Sequence, residues 1–216
     1  MRTRIKICCI SSPDEARLAI RLGADALGLV GQMPSGPGVV GDSLAAQIVR
    51  ATPPPIATFM LTSETTADGI IAHQRRVGAN TIQLVDAVRP ETYARLHSAL
   101  PAVKVVQVIH VLDEANVAEA LLAVQNGADA LLLDSGNPTL AVKELGGTGR
   151  VHNWLISRQI VEQSPVPVFL AGGLNPGNAR EAIDTVGPFG LDICSGVRTK
   201  RDLDERKLEA FMKAMQ

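Results

Sequence analysis

The sequence predicts an α/β fold, a single (βα)8 barrel of the TIM type spanning residues 1–216. Three observations carry that reading. First, Gly23-Ala24-Asp25, Gly78-Ala79-Asn80 and Gly127-Ala128-Asp129 each close a helical stretch and open an apolar run. They recur about every fifty residues, the length of two strand–helix units, so they mark even-numbered strands. Glycine suits the junction because it takes the left-handed angle that ends a helix at little cost. Second, eight apolar runs alternate with eight helical patterns, which is the order of a parallel sheet with helices outside it. Third, Ala171-Gly172-Gly173-Leu174 and Cys194-Ser195-Gly196-Val197 follow the last two strand-like runs. A doubly wound open sheet is the rival, but it explains neither the even-strand repeat nor the paired turns as naturally.

The strands are expected at Arg4–Cys9, Ala26–Gly31, Ile56–Leu61, Thr81–Val85, Val103–Val111, Ala130–Leu133, Val166–Leu170 and Leu191–Ser195. Helices are expected at Pro13–Leu22, Asp42–Ala51, Glu64–Val77, Pro90–Ala99, Asp113–Gln125, Asn153–Gln163, Pro176–Thr185 and Asp204–Met215. Several open on Pro or on an Asp or Asn cap, as helix starts do. Between them, Gln32–Gly41 reads as a long loop on the face where barrel active sites form.

Composition narrows the functional classes. Apolar residues make up 46% and aromatics only 3% of the 216 residues, so the core must be Ala, Val, Leu and Ile. A net charge of −1 and a pI near 6.4 argue against nucleic acid or an anionic membrane as the main partner. The basic stretch Arg198, Lys200, Arg201, Arg206, Lys207 is broken by Asp202, Asp204 and Glu205 and reads as a solvated loop and helix start. No apolar run reaches the roughly 18 residues that span a bilayer, and no signal-peptide pattern opens the chain. Three cysteines, two of them adjacent, do not form a disulfide framework. A cytoplasmic location is the expectation.

The two glycine turns point to the ligand class. Glycine amides approach an oxyanion closely, and a following helix N-terminus adds the positive end of its dipole. Gly146, Gly147, Gly172, Gly173, Ser195 and Gly196 are therefore the candidate phosphate-binding residues, with a phosphorylated small molecule as partner. The first strand, Ile5-Lys6-Ile7-Cys8-Cys9, alternates in direction. Ile5, Ile7 and Cys9 then face the helices, while Lys6 and Cys8 face the barrel interior. An ammonium nearby favours the thiolate that a cysteine base needs. The bland reading of Cys8 is a small buried hydrophobe. Asp134 ends the apolar run Leu131-Leu132-Leu133; it is either a partly desolvated acid at the mouth or a cap for the turn with Ser135. Cys8 and Asp134 together would be a proton-transfer pair. Gln83 and Asp192 join Lys6 as inward-facing candidates for holding a substrate. His73 and His97 read as surface residues; His110 and His152 sit nearer the loop face, without metal-ligand spacing.

These stretches resemble the phosphoribosylanthranilate isomerase family, (βα)8 barrel enzymes of tryptophan biosynthesis, over nearly the whole chain. The motifs that carry the resemblance are Lys6-Ile7-Cys8-Cys9-Ile10-Ser11, Gly23 to Val30, Gln83-Leu84, Leu132-Leu133-Asp134, Gly146 to Gly149, Ala171 to Leu174 with Asn175-Pro176, and Asp192 with Ser195-Gly196-Val197. The resemblance implies an Amadori rearrangement, in which an aminoaldose becomes an aminoketose. It gives Cys8 the role of general base at C2′ and Asp134 that of general acid on the ring oxygen, with no cofactor.

Departures from the family pattern cluster on one side. After strand 2 the family usually carries Ser-x-Arg, whose arginine meets the anthranilate carboxylate. Here the stretch is Pro34-Ser35-Gly36-Pro37-Gly38, and no Arg or Lys occurs from Gln32 to Val49. The family's Gln-Leu-His-Gly is Gln83-Leu84-Val85-Asp86, its Phe-Asp-Trp is His152-Asn153-Trp154, and Arg198 stands where Glu is common. Phosphate and proton-transfer positions remain. Two alternatives stay open: a paralogous barrel enzyme on another phosphorylated substrate, or a non-catalytic phosphometabolite-binding protein. A monomer or a homodimer is compatible with all three readings.

Overall fold

Eight parallel strands close on themselves in the computed structural model, which describes residues 2–146 and 149–215 of the chain. The strands are β1 (Arg4–Ile7), β2 (Ala26–Val30), β3 (Ala57–Thr62), β4 (Thr81–Leu84), β5 (Lys104–His110), β6 (Ala130–Asp134), β7 (Val168–Leu170) and β8 (Gly190–Ile193). Between and after them run α1 (Pro13–Arg21), α2 (Asp42–Ala51), α3 (Ala67–Val77), α4 (Pro90–Ala99), α5 (Ala115–Gln125), α6 (Trp154–Gln163), α7 (Ala179–Val186) and α8 (Glu205–Ala214). Pairing of β1 with β8, Lys6 opposite Asp192, closes the barrel. The expected (βα)8 architecture is the observed one.

Strand alternation sorts the side chains into two layers. Ile5, Ile7, Leu27, Leu29, Leu131 and Leu133 pack outward against the helices. Ala26, Val30, Phe59, Val106, Leu132 and Phe169 fill the interior, where the Phe59 and Phe169 rings meet edge to face at 5.7 Å. Ile7 and Leu27 are fully buried, and each such side chain contributes about 1.5–3 kcal/mol by leaving water.

The Gly–Ala–Asx repeat has a physical reason. Gly23, Gly78 and Gly127 sit at φ +106°, +77° and +114°, where a side chain would be strained. Each following Asx carboxyl or amide oxygen accepts the amide N–H of the preceding odd strand: Asp25 from Ile5 at 2.8 Å, Asn80 from Thr58 at 2.9 Å, Asp129 from Val105 at 2.8 Å. The repeat thus ties three odd strands to their even neighbours at the barrel floor.

Several boundaries differ from the sequence reading, for local reasons. β1 ends at Ile7 because Cys9 turns to φ +63°. Cys9 accordingly packs with the interior cluster rather than facing the helices. Thr66 caps α3 by accepting from the Gly69 amide, which moves its start from Glu64 to Ala67. An Asn175–Asn178 turn delays α7 to Ala179. Two histidine and arginine readings are corrected. His73 is buried, its Nδ1 3.0 Å from Thr62 Oγ1 and its Nε2 3.3 Å from Asp42, because α3 lays this face on β3. Arg198 is also buried, not solvated, and it begins a short hairpin of β9 (Arg198–Thr199) and β10 (Asp202–Leu203).

Candidate active site

The C-terminal ends of the strands form an open pocket. Cys8, Gln83, Asp134, Asp192 and Ser195 all line it, together with Gly146, Gly172 and Gly173. Lys6 does not reach its surface. Its side chain is fully buried, and its Nζ lies 2.9 Å from Asp192 Oδ2 and 5.2 Å from the centre of the Phe59 ring. Burial works against the charged ammonium, but Asp192 and then Cys8 outweigh it and hold Lys6 above the usual lysine range. Gly28 on β2 makes the room: a Cβ there would meet Cys8 Sγ at 2.9 Å and Lys6 Nζ at 3.0 Å. Thiol and ammonium therefore flank one point on the barrel wall.

Asp134 ends β6 with Oδ1 accepting from the Ser135 amide at 2.7 Å. That is the capping contact the bland reading expects, and it leaves Oδ2 facing Gly146, where a built Cβ would stand 2.7 Å away. Gln83 is buried and its Oε1 has no partner among the described residues. An unpaired buried amide oxygen costs about 1–3 kcal/mol, so it is an open acceptor aimed at the pocket.

The glycine turns follow β7 and β8, the two strands between β6 with Asp134 and β1 with its Cys8 end. Gly172 and Gly173 both take positive φ, +84° and +64°, and neither belongs to a helix or strand. Ser195-Gly196-Val197 forms a single 3-10 turn after β8. Gly196 lies just behind the lining and touches the first turn: an added Cβ would stand 2.1 Å from Leu174 O. The two turns are thus packed backbone to backbone. Gly147, also a candidate here, lies outside the described residues.

The loop after β2 contributes Met33, Ser35 and Pro37 to the pocket. Ser35 Oγ donates to Lys143 O at 2.6 Å, joining this loop to the one after β6. Lys143 itself is ion-paired with Asp86. Cys9 and Cys194 also line the mouth, which the sequence reading missed. Strand alternation assigned Cys9 outward and cannot anticipate a left-handed residue; a non-glycine there costs about 1–2 kcal/mol.

His152, next to the helix cap Asn153, hydrogen-bonds Ser157 Oγ through Nε2 at 2.6 Å. Burial pushes its imidazole down to about 4, against a weak upward pull from Asp134. An unfolded His titrates near 6.5. Between these values the unfolded chain binds a proton that the folded one refuses, so stability falls as pH drops from about 6.5 to 4. The expected share of His152 is about 2–3 kcal/mol over that range. Urea unfolding of His152→Gln at pH 4.5 and 7 checks this. A pH dependence as steep as that of the parent chain refutes it.

A closed barrel whose mouth combines a thiol, a carboxyl, an open amide oxygen and two packed glycine turns is the architecture of an enzyme acting on a small anionic molecule. Comparison with known proteins specifies which. The model of the N-(5'-phosphoribosyl)anthranilate isomerase family matches residues 5–214, and the chain belongs to this family. It is 36% identical over 211 residues to N-(5'-phosphoribosyl)anthranilate isomerase 2 of Methanosarcina mazei, covering 97% of this chain and 92% of that one. It is 32% identical to the isomerase of Methanocella arvoryzae, covering 97% and 96%. Among solved structures, the phosphoribosyl anthranilate isomerase of Thermotoga maritima superposes with a TM-score of 0.83 at 27% identity, covering 99% and 98%.

Proposed function

We propose that this chain is an aminoaldose–aminoketose isomerase that converts N-(5'-phosphoribosyl)anthranilate to its aminoketose. The observation that carries the proposal is that Cys8 and Asp134 line one pocket with the Gly172–Gly173 turn. A related solved isomerase is in complex with reduced 1-(o-carboxyphenylamino)-1-deoxyribulose 5-phosphate, at 25% identity and a TM-score of 0.80.

In this reading the substrate phosphate rests on the Gly172–Gly173 and Ser195–Gly196 turns, and Gly146 leaves room beside Asp134. Asp134 donates a proton to the ring oxygen. The C1′–O bond breaks, and the nitrogen lone pair forms a C1′=N iminium. Cys8, as thiolate, removes the C2′ proton, and those electrons flow to the iminium to give an enolamine. Tautomerisation then yields the ketone at C2′. Lys6, paired with Asp192, flanks the same point over Gly28 as the Cys8 sulfur and sets a positive charge beneath the base. Gln83 Oε1 accepts from a sugar hydroxyl. Proton transfer with ring opening needs only a positioned acid and base.

The direct test is turnover of N-(5'-phosphoribosyl)anthranilate, followed by loss of anthranilate-type fluorescence. Replacing Gly196 by Ala tests the cradle. The methyl must displace the Leu174 carbonyl, so both turns shift and kcat/KM falls on the order of 10²-fold. An unchanged kcat/KM in that variant removes the Ser195–Gly196 turn from the cradle. One feature favours a second reading, an isomerase for another phosphorylated amine. No Arg or Lys lies between Gln32 and Val49, and Lys143 across the mouth is already paired with Asp86. Thermal protection by phosphosugars without anthranilate turnover supports that reading.

A further inference from the structure

All three cysteines of the chain lie at the same barrel mouth. Cys9 follows β1 and Cys194 follows β8, the two strands whose pairing closes the barrel. Their sulfurs are 2.7 Å apart although both are free thiols. That is about 0.7 Å longer than a disulfide bond of about 2.0 Å. The backbone at Cys9 stands at φ +63°, and Arg198 Nη2 donates to the carbonyls of Cys8 and Cys9 at 3.1 and 2.7 Å. No large movement is needed to bring the sulfurs into bonding range. The acid–base chemistry assigned to Cys8 and Asp134 uses neither of them.

We propose that Cys9 and Cys194 are a dithiol site that closes reversibly to a disulfide by exchange with small-molecule disulfides, stapling the end of β1 to the end of β8 and leaving Cys8 as the free thiol. Cys194 is the attacking group, because it is partly exposed whereas Cys9 is buried. Its thiolate attacks one sulfur of the small disulfide and forms a mixed disulfide, expelling one small thiolate. Cys9 then gives its proton to that thiolate and attacks Cys194 Sγ, expelling the second small thiolate, which takes up from solvent the proton that Cys194 released on ionising. Two protein thiols are oxidised, and one small disulfide is reduced to two thiols. The electrostatics agree with this order. Hydrogen bonding to Cys9, with help from the charge of Arg198, outweighs burial and lowers the Cys194 thiol, while contacts with Cys194 and Cys8 and then burial raise Cys9. Low-pKa, accessible sulfurs attack first.

The test is a thiol titration of the full chain before and after exposure to oxidised glutathione, with peptide mapping of the product. The expected result is three titratable thiols falling to one, with a Cys9–Cys194 peptide link and free Cys8, all reversed by dithiothreitol. In Cys9→Ser the exchange stops at a mixed disulfide on Cys194, because the resolving thiol is gone. Three thiols remaining after oxidation overturn the proposal. So does a link through Cys8, a link between chains, or a stable glutathione adduct on the unsubstituted chain. None of these readouts depends on isomerase turnover, so they separate this site from the proposed function.

Discussion

Replacing Cys8 by Ser, or Asp134 by Asn, is expected to lower kcat by about 10²–10⁴-fold. KM should change far less. Each substitution keeps shape and hydrogen-bonding capacity but removes one proton-transfer step: a serine hydroxyl is not deprotonated beside Lys6, and an amide cannot supply the ring oxygen with a proton. The proposed phosphate cradle lies on the turns after β7 and β8 and uses neither side chain, so binding of inorganic phosphate or a phosphosugar is expected to survive in both variants. Steady-state kinetics with a parallel thermal-shift titration reads both quantities. Parallel loss of phosphate binding would mean that the substitutions deform the mouth rather than the chemistry. Retained turnover in Cys8→Ser would remove the thiol from the mechanism altogether. The double variant should lose little beyond the worse single one, since residues acting as a unit are not additive.

The second large effect lies outside the pocket. Arg198→Met is expected to destabilise the fold by about 2–4 kcal/mol, because it strips the half-buried Glu15 carboxylate of its guanidinium and leaves three backbone carbonyls without their donor. Arg198 Nη1 lies 2.8 Å from Glu15 Oε1 and donates to Arg201 O at 2.8 Å, while Nη2 donates to two carbonyls at the end of β1. Glu15 in turn accepts from the amides of Ser11 and Leu203. Burial pushes the Glu15 carboxyl up, but Arg198 and these amides outweigh it and hold it below the usual range. One guanidinium thereby fastens β1, α1 and the hairpin together. Urea denaturation measures the loss. A change under 1 kcal/mol would show the pair to be dispensable. Glu15→Gln added to Arg198→Met should recover part of it, since the uncompensated charge is then gone.

That arginine also illustrates what the sequence could and could not convey. The barrel was legible because its signals repeat: three Gly–Ala–Asx junctions and eight apolar runs each reinforce the same period. The pocket lining was legible where a strand's alternation decided it, as at Cys8, or where a glycine pair announced a turn, as at Gly172–Gly173, whereas Lys6 points inward as expected but stays beneath the lining. Reading failed where a tertiary partner overrode local pattern. Arg198 looked solvated because its neighbours Lys200 and Arg201 are, yet a carboxylate 183 residues away draws it inside. His73 looked exposed on its helix until Thr62 and Asp42 met both ring nitrogens. Cys9 followed the alternation of β1 only on paper, since the strand stops two residues earlier and the chain turns left-handed.

The Asx hydrogen bonds at the barrel floor have an evolutionary corollary. Asp25, Asn80 and Asp129 fasten three neighbouring strand pairs of the cylinder from the end remote from Cys8 and Asp134. Structural integrity and chemical identity are thereby assigned to opposite poles of one small molecule. Loops at the upper pole can change their side chains while the lower pole keeps its strand pairs in register.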